Sequence, residues 1–186
     1  MVREMVRQDF NHPSVMIWAY MNETLLRPPY TDEARTKEYY KAIEHVARTL
    51  EETIRREDPA RYTMIAFHNA PERYAAARLT QIPMIQGWNL YQGWYEKDIT
   101  GFERILDRLH AQYPDKVLIV TEYGADVDPR LHSFSPEQFD FSQEYGLVYN
   151  RHYLEQMRKR PFIAGSSLWN LNAFYSEPVS YTHLTL

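Results

Sequence analysis

The sequence contains no cysteine, which excludes disulfide frameworks, zinc-thiolate sites, iron–sulfur clusters and thiol nucleophiles, and leaves the redox compartment unread. It has no surplus of positive charge: 21 Lys and Arg stand against 25 Asp and Glu, for a formal net charge of −4. No basic stripe interleaves with aromatics, so the electrostatic footprint of nucleic-acid binding is missing and no nucleic-acid partner is expected. No apolar run approaches the roughly 18 residues of a membrane span, and Met1-Val2-Arg3-Glu4-Met5 lacks the charged-then-apolar order of a signal peptide, so no membrane partner is expected. Glycine is scarce, with six in all, and no glycine-rich loop follows a strand-like segment, which weakens a nucleotide-binding reading. His12, His45, His110, His132 and His152 show no metal-ligand spacing, such as an i, i+4 pair with a Glu. Neither a metal nor a cofactor is expected.

What remains is a chain of 186 residues, 44% hydrophobic and 25% charged, enough to bury one globular core. Aromatics reach 15%, with 15 Tyr and 4 Trp. Such side chains suit flat faces like sugar rings, and ordinary cores equally.

Five short β-rich segments punctuate the chain: Val15–Tyr20, Tyr62–Phe67, Met84–Trp88, Val117–Thr121 and Phe162–Leu168. Helical patterns separate most of them. The clearest runs from Asp32 to Glu57, with Tyr39, Ile43, Val46, Ala47, Leu50 and Ile54 on one stripe, and stops at Asp58-Pro59. A second opens with the capping-box pattern Thr100-Gly101-Phe102-Glu103 and turns Phe102, Ile105, Leu106 and Leu109 inward. A third spans Gln143 to Lys159, Pro71–Leu79 forms a short fourth, and Val2–Asp9 reads as the tail of an earlier helix. This alternation predicts a parallel sheet with right-handed crossovers, at the strand spacing of a (β/α)8 barrel. Eight units need about 250 residues, so five strands mean either an open doubly wound sheet or part of a barrel, and a partial (β/α)8 TIM barrel is the expectation. Val179–Leu186 reads as an adapter-derived scar, which sets the barrel domain at 1–178 and a non-native tail at 179–186.

Chemistry gathers at one end of every predicted strand: Asn22-Glu23, His68-Asn69, Asn89 with Tyr91, Glu122-Tyr123 and Trp169-Asn170. In a barrel the C-terminal rim holds the catalytic groups, because side chains from several strand ends converge there. On that ground His68 is a candidate substrate contact. Glu23 and Glu122 terminate apolar runs, where burial can shift a carboxyl pKa. Paired carboxyls among Asn, Tyr and Trp are the equipment of glycoside hydrolysis: one protonates the leaving oxygen while the other attacks or activates water.

Asn11-His12-Pro13-Ser14 leading into Val15–Met21 and closing on Asn22-Glu23 resembles the acid/base segment of glycoside hydrolase family 2, the family of β-galactosidases and β-glucuronidases. Thr121-Glu122-Tyr123-Gly124 is similar to that family's nucleophile segment. Asn89-Leu90-Tyr91-Gln92-Gly93-Trp94-Tyr95, Leu131-His132-Ser133 and Trp169-Asn170 extend the likeness across residues 1 to 178. The resemblance implies about strands 4 to 8 of the catalytic barrel, with the first three strands outside this sequence. It implies Glu23 as general acid/base and Glu122 as nucleophile of a retaining β-glycosidase, from strands that face each other across the barrel mouth. It further implies that Asn22 bonds the sugar 2-hydroxyl, Tyr91 donates to Glu122, Trp169 floors the sugar subsite, and Asn89 and Tyr95 lie near the substrate. The substrate is then a terminal β-linked sugar, β-galactosidase-like in the first instance. The alternatives are a β-glucuronidase or an inactive carbohydrate-binding relative. Glucuronidases carry an Asp where this chain has Ala173. The full-length protein is expected as a homo-oligomer. The Asn22-Glu23-Thr24 glycosylation pattern is set aside, because a glycan there would block the proposed pocket.

Overall fold

The computed structural model describes residues 1–170. Along these run α1 (Val2–Asp9), β1 (Ile17–Asn22), α2 (Glu33–Glu57), β2 (Tyr62–His68), α3 (Pro71–Ala76), β3 (Ile85–Asn89), α4 (Gly101–Gln112), β4 (Val117–Tyr123), α5 (Gln143–Arg158) and β5 (Ile163–Leu168). The strands form one parallel sheet in chain order, β1-β2-β3-β4-β5. This is the α/β architecture of a partial barrel that the alternating pattern predicts. The 178/179 boundary and the 179–186 tail lie outside the described residues.

Several strands end later than the apolar runs suggest. β1 also starts later, at Ile17 instead of Val15, because the Val15 N–H is spent on a turn to the His12 carbonyl at 3.2 Å. Between Ala19 and Met21 the pairing with β2 slips by one residue, leaving Tyr20 as a bulge. Such an extra residue bends its strand and re-aims the side chains beyond it. β4 runs on through Tyr123, which places Glu122 inside the strand. β3 is buried along its whole length, as a strand covered on both faces must be.

The chain divides into two compact units, Met1–Trp88 with Asp115–Ile119, and Asn89–Pro114 with the residues from Val120 onward. In the first, fully buried Val6 and Ile54 enclose Trp18, with Val2, Met5, Val15 and Tyr20 around them. Asp58 closes α2 and knots this core. It is buried, and it accepts from Trp18 Nε1 at 2.9 Å, Arg61 Nη1 at 2.7 Å and the Ala60 N–H at 3.0 Å. Burial alone would raise this carboxyl; the bonds from Arg61, Trp18 and the backbone outweigh it and hold the pKa low. Asp32 caps the other end of α2, accepting from Arg35 N–H at 2.9 Å.

The expected stripe on α2 needs one correction. Ala47 and Ile54 are buried, but Val46 is 46% exposed and Glu51 only 5%. A buried carboxylate requires donors, and Glu51 has two, Thr63 Oγ1 at 2.7 Å and Arg55 Nε at 2.5 Å.

In the second unit α4 turns Phe102, Ile105, Leu106 and Leu109 inward as predicted. Its capping box does not form. Thr100 already has helical backbone angles and makes no side-chain cap bond. Instead Asp98 accepts from the Thr100 N–H at 2.9 Å and hydroxyl at 2.6 Å. On α5, Tyr145, Tyr149, Tyr153 and Met157 recur every four residues on the buried face. Tyr153 stacks on Phe102 at 3.7 Å and on Tyr149 at 4.3 Å between ring centroids. Past its C-terminus, Arg160 forks onto Asp107 of α4 at 2.6 and 2.7 Å.

Candidate active site

Of the residues singled out in the sequence, six lie at or just past the C-terminal ends of their strands, and Tyr91 and Tyr95 lie on the loop that follows β3. Asn22 is the last residue of β1 and Glu23 the next; His68 closes β2 and Asn89 closes β3. Glu122 is the penultimate residue of β4, and Trp169 comes directly after β5.

In the first unit the site is built around Glu23, whose backbone adopts the left-handed φ of +49°. Non-glycine residues rarely occupy that region, and it persists only where the surroundings enforce it. Here the Glu23 N–H donates to the Ala66 carbonyl of β2 at 2.9 Å, and the Glu23 carbonyl accepts from Leu26 at 2.9 Å. His68 stands on the neighbouring strand. Its Nδ1 is 2.6 Å from the Tyr74 hydroxyl and its Nε2 is 3.4 Å from Arg73 Nη1. Burial, with the Arg73 charge adding, lowers His68 to about 4, so the ring is neutral near pH 7. A guanidinium only donates, so Nε2 accepts, and the ring proton sits on Nδ1 toward Tyr74. Burial pushes Tyr74 up to about 12, and the nearby Glu23 carboxylate adds to the shift.

In the second unit the centre is Glu122. Its Oε2 accepts from the Tyr91 hydroxyl at 2.8 Å. Burial first, then the Glu122 charge, raise the Tyr91 pKa far above that of a free phenol. Tyr91 therefore keeps its proton and remains a donor. The main chain of Glu122 is fixed as well, since its carbonyl accepts from Leu90 N–H at 2.9 Å, while the next carbonyl, that of Tyr123, accepts from Trp169 N–H at 2.9 Å. Buried Asn89 accepts from Thr121 Oγ1 at 2.6 Å. Tyr95, 48% exposed, packs its ring against Tyr91 with centroids 4.8 Å apart. Trp169 is 48% exposed. Two glycines shape this half. Gly93, at φ +85°, makes the turn between Tyr91 and Tyr95, and a Cβ there would come within 2.8 Å of Ile99. A Cβ on Gly124 would strike the carbonyl oxygen of Trp169.

Sequence reasoning missed Arg73, Tyr74 and Thr121. Pro71-Glu72-Arg73-Tyr74 reads only as the first turn of a short helix, and nothing in it announces contacts back to the β1 loop. Among the described residues, no group of three or more His, Asp or Glu is placed to hold a metal ion. No helix among them is long and apolar enough to cross a membrane.

A parallel α/β chain with Glu, Asn, Tyr and Trp at its strand ends defines a class, and the comparison with known families names it. The model of "Glycosyl hydrolases family 2, TIM barrel domain" matches residues 1–185, and the chain belongs to that family. Within it, a solved structure of Bacteroides uniformis beta-glucuronidase is similar at 44% identity and a TM-score of 0.89, over 93% of this chain and 21% of that one. The Streptococcus agalactiae beta-glucuronidase is 28% identical over 179 residues, 93% of this chain and 28% of its own length. A putative beta-galactosidase from Bacteroides fragilis is similar at 28% identity and a TM-score of 0.73, over 91% of this chain and 24% of that one. The chain thus spans about a quarter of the length of such relatives.

Proposed function

We propose that the chain carries the reacting carboxyls of a retaining β-glycosidase acting on β-glucuronides. The observation that carries this reading is the Tyr91-to-Glu122 hydrogen bond of 2.8 Å in a chain 44% identical to a beta-glucuronidase. Relatives named beta-glucuronidase favour the glucuronide over the galactoside expected first. The Bacteroides uniformis beta-glucuronidase 2 covalently bound to cyclophellitol-6-carboxylate aziridine, also 44% identical, supports both the nucleophilic carboxylate and the acidic sugar.

In this mechanism Glu122 attacks the anomeric carbon as the glycosidic C–O bond breaks, and Glu23 gives its proton to the departing aglycone oxygen. A glycosyl ester on Glu122 results. Glu23, now a carboxylate, takes a proton from water, whose oxygen attacks the anomeric carbon and frees Glu122; two inversions give retention. Tyr91 holds the nucleophile ionised and aimed. Asn22 bonds the 2-hydroxyl and Trp169 floors the sugar, with Asn89 and Tyr95 nearby. His68, whose two nitrogens already have partners, offers the sugar only its ring edge.

The test is made on the protein at its natural full length. It is incubated with a glucuronic-acid-configured aziridine and with 2-fluoro-galactoside and 2-fluoro-glucuronide inactivators, and the labelled peptide is mapped by mass spectrometry. Label on Glu122 from the glucuronide probes is expected, and Glu122→Gln loses turnover by ~10³-fold or more. Labelling by the galactoside alone would move the reading to a galactosidase. A folded protein that takes no label would remove the covalent mechanism.

A further inference from the structure

The Glu23 carboxyl hangs from a backbone in a conformation that side-chain-bearing residues avoid, so something outside the turn must enforce it. The bond from Glu23 N–H to Ala66 pins one side of the turn, and the other side is held from α3. Arg73 Nη1 donates to the Leu25 carbonyl at 2.7 Å and the Leu26 carbonyl at 3.1 Å. Leu26 is the residue whose N–H closes the turn back onto the Glu23 carbonyl. Leu25 is fully buried, so the turn is anchored by its side chain below and by its carbonyl dipoles at the guanidinium. The same Nη1 faces His68 Nε2, whose ring is fixed by Tyr74 at 2.6 Å.

Resting on the acid/base reading of Glu23, we infer that Arg73 is a positioning residue, which with His68 and Tyr74 holds the 23–26 turn and so aims the Glu23 carboxyl at the departing oxygen. Three features support the assignment. The guanidinium reaches two successive carbonyls of the turn that carries the reacting residue. Neutral His68 has a lone pair to offer a cation, and its lowered pKa, a product of burial and the Arg73 charge, keeps it so above about 4. The Tyr74 hydroxyl links that ring to the electrostatic neighbourhood of Glu23. A residue acting this way touches both half-reactions, because Glu23 is the acid in the first and the base in the second, but kcat/KM reports only the first, in which the aglycone leaves. Protonation matters most when the aglycone is a poor leaving group and hardly at all when it departs unaided.

The experiment measures kcat/KM for aryl β-glucuronides, or for the sugar the protein proves to cleave, with leaving groups from 2,4-dinitrophenol to phenol. Wild type, Glu23→Ala and Arg73→Met are compared at natural full length. The expected result for Arg73→Met is a loss of ~30- to 100-fold on phenyl glycosides, with the dinitrophenyl glycoside kept within about threefold, the scale of a misplaced general acid. Glu23→Ala shows the same selectivity, more steeply, and azide restores its kcat. A uniform loss or no loss in Arg73→Met, beside a selective loss in Glu23→Ala, overturns the positioning role and leaves the acid/base reading standing. An unselective Glu23→Ala brings down that reading and the inference with it. If Arg73→Met does not fold, Arg73→Lys decides: it keeps the charge but not the planar fork, so an intermediate, leaving-group-dependent loss supports the inference and a flat one refutes it.

Discussion

Tyr91 and His68 are two titratable groups that keep one protonation state for opposite reasons. Tyr91, half-buried against the negative charge of Glu122, keeps its proton, and His68, half-buried against the positive charge of Arg73, stays neutral until the pH falls to about 4. Tyr91→Phe removes the donor to Glu122 without changing ring volume, and the expected outcome is a ~10²-fold fall in kcat/KM with an unaltered melting curve. For His68, the ring resonances in an NMR pH titration should turn at about 4, against 6.5 for a free histidine. As pH falls, the unfolded chain binds this proton first, so the native state loses stability from about pH 6.5 until pH falls through 4. The carboxylates were legible because strand-end residues after apolar runs stand out in any sequence. Arg73 was not, because its partners at Leu25 and Leu26 belong to a turn whose path only the folded backbone defines. Glu51 was missed by the converse error: a charged residue on a helix is read as solvated until the Thr63 hydroxyl that donates to it in the interior is seen.

At the scale of elements, hydrophobic period located all five strands and the long helices, while the local rules for their ends were less dependable. Ser142 caps α5 by accepting from Tyr145 N–H at 3.0 Å, and it is buried. Ser142→Ala should cost about 1 kcal/mol in a denaturant titration. Asp58 carries more, since its removal leaves the Trp18 indole N–H and the Arg61 guanidinium without their shared acceptor; Asp58→Ala should cost about 3 kcal/mol by the same measurement. Thr100 with Glu103 three residues on satisfied the sequence rule for a helix start and still did not cap, because Asp98 two residues earlier takes the Thr100 N–H that Glu103 would have accepted, and the Thr100 hydroxyl oxygen accepts from Arg104 Nη1 at 2.7 Å instead of from the helix. A pattern of residue types cannot show such competition. At the join of β4 and β5, the Trp169 carbonyl sits where a Gly124 side chain would be.

For the molecule as a whole, the carboxyl read as acid/base belongs to one compact unit and the carboxyl read as nucleophile to the other. β1 and β5 are the terminal strands of the described sheet, and along β5 most residues are exposed, ending in Leu168 and Trp169. Exposed strand edges with apolar ends invite pairing with other chains. The 186-residue chain expressed by itself is therefore expected to self-associate in sedimentation velocity at tens of micromolar and to cleave no aryl glycoside. A well-behaved, active monomer would contradict both. The α/β class was readable from strand-helix alternation, but the division into two units was not, because it depends on which stretches of backbone come close in space rather than on the order of elements.

The main chain around Glu122 is gripped from both sides of β4, by the N–H groups of Leu90 and Trp169. For protein engineering this makes the strand end a fixed socket. The carboxylate we propose as nucleophile is mounted on a strand end whose main chain is bonded on both sides, while the segments 93–99 and 125–142 lie between the elements as loops. Diversity confined to those loops should change which aglycone or sugar is accepted while the reaction itself survives, so a library built there begins from working chemistry.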